Sequence, residues 1–104
     1  MKTMEIIEIR AHAGRHEQLL ADLERTAEEI NHGREGMVMY VYRRAGVDTD
    51  FAVKLLHDTI PSPGEGSSVA LRLQQALKDS GLVNHSVWIQ HHPVPHRDKN
   101  SDGA

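Results

Sequence analysis

Met37-Val38-Met39-Tyr40-Val41-Tyr42, Ala45-Gly46-Val47-Asp48-Thr49-Asp50 and Phe51-Ala52-Val53-Lys54-Leu55-Leu56-His57 follow one another with only Arg43-Arg44 between the first two. The outer segments are dense in β-branched and aromatic side chains, and the middle one has the glycine and aspartates of a turn. Strands so close in sequence pair as an antiparallel hairpin. On the N-terminal side, His32-Gly33-Arg34-Glu35-Gly36 breaks the chain before the hairpin. Ahead of that break the period changes. From Arg15 to Asn31, Leu20, Leu23, Ala27 and Ile30 recur every three or four positions while Glu17, Arg25 and Glu28 fall elsewhere on the wheel, which predicts an amphipathic helix. Gly14 separates it from a strand over Glu5 to His12, with Ile7, Ile9 and Ala11 on one face and Ile6, Glu8, Arg10 and His12 on the other.

On the C-terminal side, Thr59 to Ser68 carries Pro61, Pro63, Gly64 and Gly66, so this span is expected to be a mobile loop near the mouth of any pocket. Ser67 or Ser68 is placed to cap a second helix with the stripe Val69, Leu73, Ala76 and Leu77, and Gly81 reads as its C-cap. A last strand is expected over His85 to His91, shut off by Pro93. Val94 to Ala104 is polar and aperiodic and is expected to be a disordered tail, leaving residues 1–93 as the domain. Strand, helix, strand, strand, helix, strand is the split βαβ plan. It predicts an α+β, ferredoxin-like domain: a four-stranded antiparallel sheet with both helices on one face. The other face would expose Met or Tyr, Val and Leu side chains over several strands, a patch too large for a monomer, so a homodimer through the sheet is expected.

With 104 residues the chain has material for one modest core. Its 12 Lys and Arg are scattered and outnumbered by 15 acids, so no basic stripe suits a nucleic acid. No apolar run approaches the roughly 20 residues of a membrane span, and Met1 to Arg10 lacks the order of a signal peptide, which makes the cytoplasm the default location. Without cysteine there are no disulfides, thiolate nucleophiles or cysteine-ligated metals.

Gly14 opening the first helix, Glu35-Gly36-Met37 entering strand two, Tyr40-Val41-Tyr42-Arg43, and the element order over about residues 3 to 92 resemble the antibiotic-biosynthesis-monooxygenase-like group of the dimeric α+β barrel superfamily. The resemblance implies a dimeric α+β barrel and, for activity, a cofactor-independent monooxygenase acting on an aromatic or polyketide-like small molecule. Similar barrels also include haem-degrading enzymes, isomerases and proteins without known activity, so a non-catalytic binding or accessory dimer is the alternative. Leu55 and His57 stand where many relatives have a glutamate and a tryptophan, and no Asn-Trp-His set matches the haem-degrading branch.

A cofactor-free oxygenase has to deprotonate a conjugated substrate and stabilise the resulting carbanion, which calls for a base and a donor. His57, on the side of Phe51, Val53 and Leu55, and His85 are the candidate bases; Tyr42 is the candidate phenolic donor. His91, Tyr40 and Arg10 are candidate ligand contacts, His91 because it would share the side of His85, Val87 and Ile89. Each has an ordinary alternative: strand-end histidines are commonly structural, and Glu8, Arg10 and His12 equally suit a solvated edge or a salt bridge across a two-fold axis. Trp88, of opposite parity to Val87, is expected to anchor the dimer interface. No metal site is expected, because His91 and His92 are adjacent and point to opposite faces of a strand.

Overall fold

The computed structural model describes residues 2–33, 36–58 and 66–93. Of the mobile loop expected from Thr59 to Ser68, residues 59–65 lie outside the described residues, as does the disordered tail expected from Val94 to Ala104, while Ser68 belongs to the second helix. The elements are β1 (Thr3–Ala11), α1 (His16–Gly33), β2 (Met37–Arg43), β3 (Asp50–His57), α2 (Ser68–Leu77) and β4 (Gly81–Ile89). All pairings are antiparallel in the order β2-β3-β1-β4, so the chain is a ferredoxin-like α+β domain. The hairpin of β2 and β3 forms as expected, with Met37 opposite His57 and Arg43 opposite Phe51.

Alternation along the strands assigns the two faces. Ile7, Ile9 and Ala11 of β1, Met37 and Met39 of β2, and Phe51, Val53 and Leu55 of β3 are buried with Leu19, Leu23 and Ile30 of α1 and Val69, Ala70 and Leu77 of α2. The Asn31 side chain fastens α1 to the outer edge of β2, donating to the Met39 carbonyl at 3.0 Å and accepting from the Met39 N–H at 2.7 Å. It occupies backbone groups that an edge strand would otherwise offer to another chain. Ser67 is the N-cap of α2, its hydroxyl accepting from the Ala70 N–H at 3.1 Å. The opposite face of the sheet is open and leaves Val38, Tyr40, Tyr42, Leu56 and Trp88 exposed. Among the described residues, no helix is long and apolar enough to cross a membrane.

Two expectations at the C-terminal end need correction. Gly81 is the first residue of β4, not a helix cap; it lies opposite Ala11, and a Cβ there would strike the Arg10 carbonyl oxygen. Close backbone approach, not a helix ending, is what requires glycine at this position. In consequence β4 starts four residues before His85 and ends at Ile89, which leaves His91 exposed beyond the strand instead of on the face of His85.

Candidate functional site

One charged side chain interrupts the apolar face of the sheet. Glu5 lies between Thr3 and Ile7 on β1 and is 0% exposed. A carboxylate in that position is costly unless donors surround it. The sheet register provides two of them: β3 places His57 opposite Thr3, and β4 places His85 opposite Ile7, so the histidines flank Glu5 on opposite diagonals. His57 Nε2 is 2.6 Å from Glu5 Oε2 and His85 Nε2 is 2.8 Å from Oε1. The Ser67 backbone N–H donates to Oε1 at 3.1 Å from the N-terminus of α2, where the helix dipole also favours negative charge.

Gly66 makes this approach possible. Its φ is +88°, and a Cβ built on it would collide with Glu5 Oε1 and come within 2.6 Å of His85 Cε1. Glycine is therefore required here both for its backbone conformation and for space. Burial pushes the Glu5 carboxyl up, but hydrogen bonds from Ser67, His85 and His57 outweigh burial and hold it below its ordinary value of 4.5. An ionised carboxylate only accepts, so both Nε2 atoms carry hydrogen. In a neutral imidazole of that tautomer the lone pair sits on Nδ1. Glu5 thus orients two imidazoles as a carboxylate orients the histidine of a hydrolase triad, with the basic nitrogen on the far side of the ring.

The structure joins His57 and His85 through a residue that the sequence reading passed over. Glu5 could have been found from parity alone, because it shares the phase of Ile7, Ile9 and Ala11. The other candidates are elsewhere. Tyr40 and Tyr42 project from the open face with ring centroids 6.4 Å apart, and Lys54 Nζ lies 5.4 Å from the centre of the Tyr42 ring. Arg10 is also on the open face and forms a two-pronged pair with Asp50 of β3, Nε to Oδ1 and Nη2 to Oδ2, both at 3.1 Å. Its partner is the neighbouring strand of the same chain, so no two-fold axis is needed to explain the charge. His91 is exposed past β4 and contributes to neither cluster. Among the described residues, no group of three His, Cys, Asp or Glu side chains is arranged to hold a metal ion.

No protein-family model and no curated protein matches this sequence. Solved structures do match it. A mutant of SnoaB, a cofactor-independent oxygenase from Streptomyces nogalater, is 14% identical with a TM-score of 0.62, over 91% of this chain and 98% of that one. A protein from Deinococcus radiodurans assigned as an antibiotic biosynthesis monooxygenase is 12% identical with a TM-score of 0.66, covering 92% of this chain and 99% of its own. A Nitrosomonas europaea protein with the same assignment is 12% identical with a TM-score of 0.65, over 90% and 94% of the two chains. The chain has the fold of the antibiotic biosynthesis monooxygenase-like proteins over nearly its whole described length.

Proposed function

We propose that the protein is a homodimeric barrel enzyme that removes a proton from an aromatic or polyketide-like small molecule and lets the resulting carbanion react with oxygen without a cofactor. The observation that carries this reading is the buried Glu5 carboxylate holding the Nε2–H of His57 and of His85. His57 Nδ1 acts as the base, and Glu5 stabilises the imidazolium that forms. For a substrate methylene the overall change converts the methylene and one dioxygen molecule into a ketone carbonyl and one water. The carbanion supplies the electrons, one oxygen atom stays on carbon, and the other leaves as water with the two methylene hydrogens. The fold shared with a cofactor-independent oxygenase supports the same reading. The exposed Val38, Tyr40, Tyr42 and Leu56 support dimerisation through the open face. Light scattering at micromolar concentration should report twice the chain mass.

The test uses anthrone, whose activated methylene suits this chemistry, with oxygen uptake and quinone formation as readouts. His57→Ala should lower turnover by about a hundredfold, the usual share of a general base, and leave the dimer intact. Unchanged turnover in the variant would end the catalytic role. A second reading, a non-catalytic binding protein, is favoured by one observation: Tyr42 lines a groove on the open face and His57 a different groove at the end of the sheet, so base and phenol do not share a pocket. That reading expects no oxygen uptake by the wild-type protein.

A further inference from the structure

The two edges of the sheet are finished differently. Hydrogen bonds at the strand ends show which backbone groups point outward. The Ser80 carbonyl accepts from the His12 N–H at 2.8 Å and the Gln90 N–H donates to the Lys2 carbonyl at 2.9 Å, so the even residues of β4 bond to β1. Its odd residues Gly81, Val83, His85, Val87 and Ile89 therefore aim N–H and C=O away from the sheet. On β2 the Arg44 N–H donates to the Asp50 carbonyl, which makes the odd residues outward there as well, and Asn31 occupies both groups of Met39 in the middle of that strand. Among the described residues, no group does the same for β4. Edges are ordinarily guarded by charge, proline or brevity. The edge strand Gly81-Leu82-Val83-Asn84-His85-Ser86-Val87-Trp88-Ile89 is nine residues long and contains no Lys, Arg, Asp, Glu or Pro.

We propose that β4 is a self-association surface on which a second copy of the chain adds its own β4, antiparallel about a two-fold axis at His85, joining two four-stranded sheets into one. The order of side chains matches itself in reverse about that residue. Leu82 and Trp88, 71% and 56% exposed, meet the partner's Trp88 and the partner's Leu82. Asn84 meets the partner's Ser86. On the helix side Val83 meets the partner's Val87, and Ile89 lies over the partner's Gly81, where no side chain competes. All the outward groups of both strands then pair. The outward phase permits slips only in steps of two residues, and any slip shortens the overlap and parts Leu82 from the partner's Trp88. The axis of this pairing is perpendicular to the sheet, whereas an axis relating two packed open faces runs parallel to it, so the two contacts do not compete and one chain can make both. A strip one strand wide is smaller than a standard interface, so the pairing belongs at roughly 0.1 mM, above the concentration at which the open face pairs. It does not depend on catalysis.

The chain has no cysteine, so introduced thiols report this contact without background. Asn84 and the partner's Ser86 face one another as a closely spaced, non-hydrogen-bonded pair, with Cα atoms about 4.5 Å apart, within reach of a disulfide. Stacked sheet faces are about 10 Å apart, beyond the roughly 7 Å a disulfide can span, so pairing through the open face does not give this product. Full-length Asn84→Cys and Ser86→Cys proteins, mixed at about 0.1 mM under mild oxidation, should cross-link at least about tenfold more than either protein alone. A mixture that cross-links no better than the single variants overturns the proposal. Val87→Pro removes one outward N–H on an edge, where proline is tolerated. In sedimentation velocity at the same concentration, wild-type protein should gain a species of twice the mass it has at micromolar concentration, and Val87→Pro with an unaltered melting temperature should lack it. Absence of that species from the wild type overturns the proposal, as does its persistence in the folded proline variant. The cross-linking result decides the matter if Val87→Pro does not fold.

Discussion

Glu5 and Asp50 are each a carboxylate held by two basic side chains, on opposite faces of the same sheet. Glu5 faces the helices and is shared by His57, His85 and the Ser67 N–H. Asp50 faces the open side, where Arg10 grips it at both oxygens and Arg44 reaches Oδ2 at 3.3 Å. The partners determine what each cluster can do. Guanidinium groups stay charged at any physiological pH and have no lone pair to accept a proton, so the Asp50 cluster is a permanent ion pair. An imidazole has a second ring nitrogen that can accept a hydrogen bond or a proton, which a guanidinium lacks, so the two clusters differ in kind. Solvent widens the contrast: Arg10 and Arg44 are largely exposed and screened, whereas Glu5 has no contact with water.

The largest expected break in this comparison is Glu5→Ala. It leaves two imidazole N–H groups and a backbone N–H without an acceptor under α2, and should lower stability by about 3 kcal/mol in chemical denaturation. A loss no greater than that of Asp50→Ala would show that the buried network holds no special place in the fold. Gly66→Ala attacks the same cluster through the backbone. Forcing a side chain into the left-handed region costs about 1–2 kcal/mol before the collision with Glu5 is counted, and the variant should melt at a lower temperature than Gly46→Ala, whose Cβ meets nothing within 4 Å.

Acid sharpens the comparison next. The folded state holds the Glu5 carboxyl below 4.5, its ordinary value, despite burial, because Ser67, His85 and His57 donate to the ionised form. The stability it contributes is therefore complete above that value and is lost as pH falls through the lower, folded one. Asp50 is likewise held low, chiefly by the Arg10 hydrogen bonds. The two are separable by salt: in Glu5→Ala the remaining acid sensitivity should shrink as salt is added, while in Asp50→Asn it should persist. The smallest effect is expected for Asp50→Asn itself at neutral pH. It should shift the denaturation midpoint only slightly, and a shift as large as that of Glu5→Ala would mean that the open face is a structural centre after all.

The histidines of the site were legible in the sequence because strand-end imidazoles on an apolar phase stand out. His57 follows Val53 and Leu55, and His85 precedes Val87. Glu5 was not singled out, because an acid near the N-terminus of a strand also reads as a solvated end. Its phase with Ile7 carried the signal, but only the burial of the whole face makes that phase compulsory. The Arg10–Asp50 pair was legible as a charge needing a partner, though not which partner.

The amino-acid order determined the number and sequence of the elements, the hairpin, a cap at Ser67 or Ser68 and the alternation along β1, because periodicity, turn residues and capping act within a few positions. Only the tertiary structure decided that Glu5 meets residues 52 and 80 positions away. That meeting depends on the register of β1 against β3 and β4, and a slip of one residue in either pairing would carry a histidine to the other face. Register is set by the packing of all four strands and by Gly81 against Arg10 at the far end of the sheet, so it belongs to no local stretch of the chain.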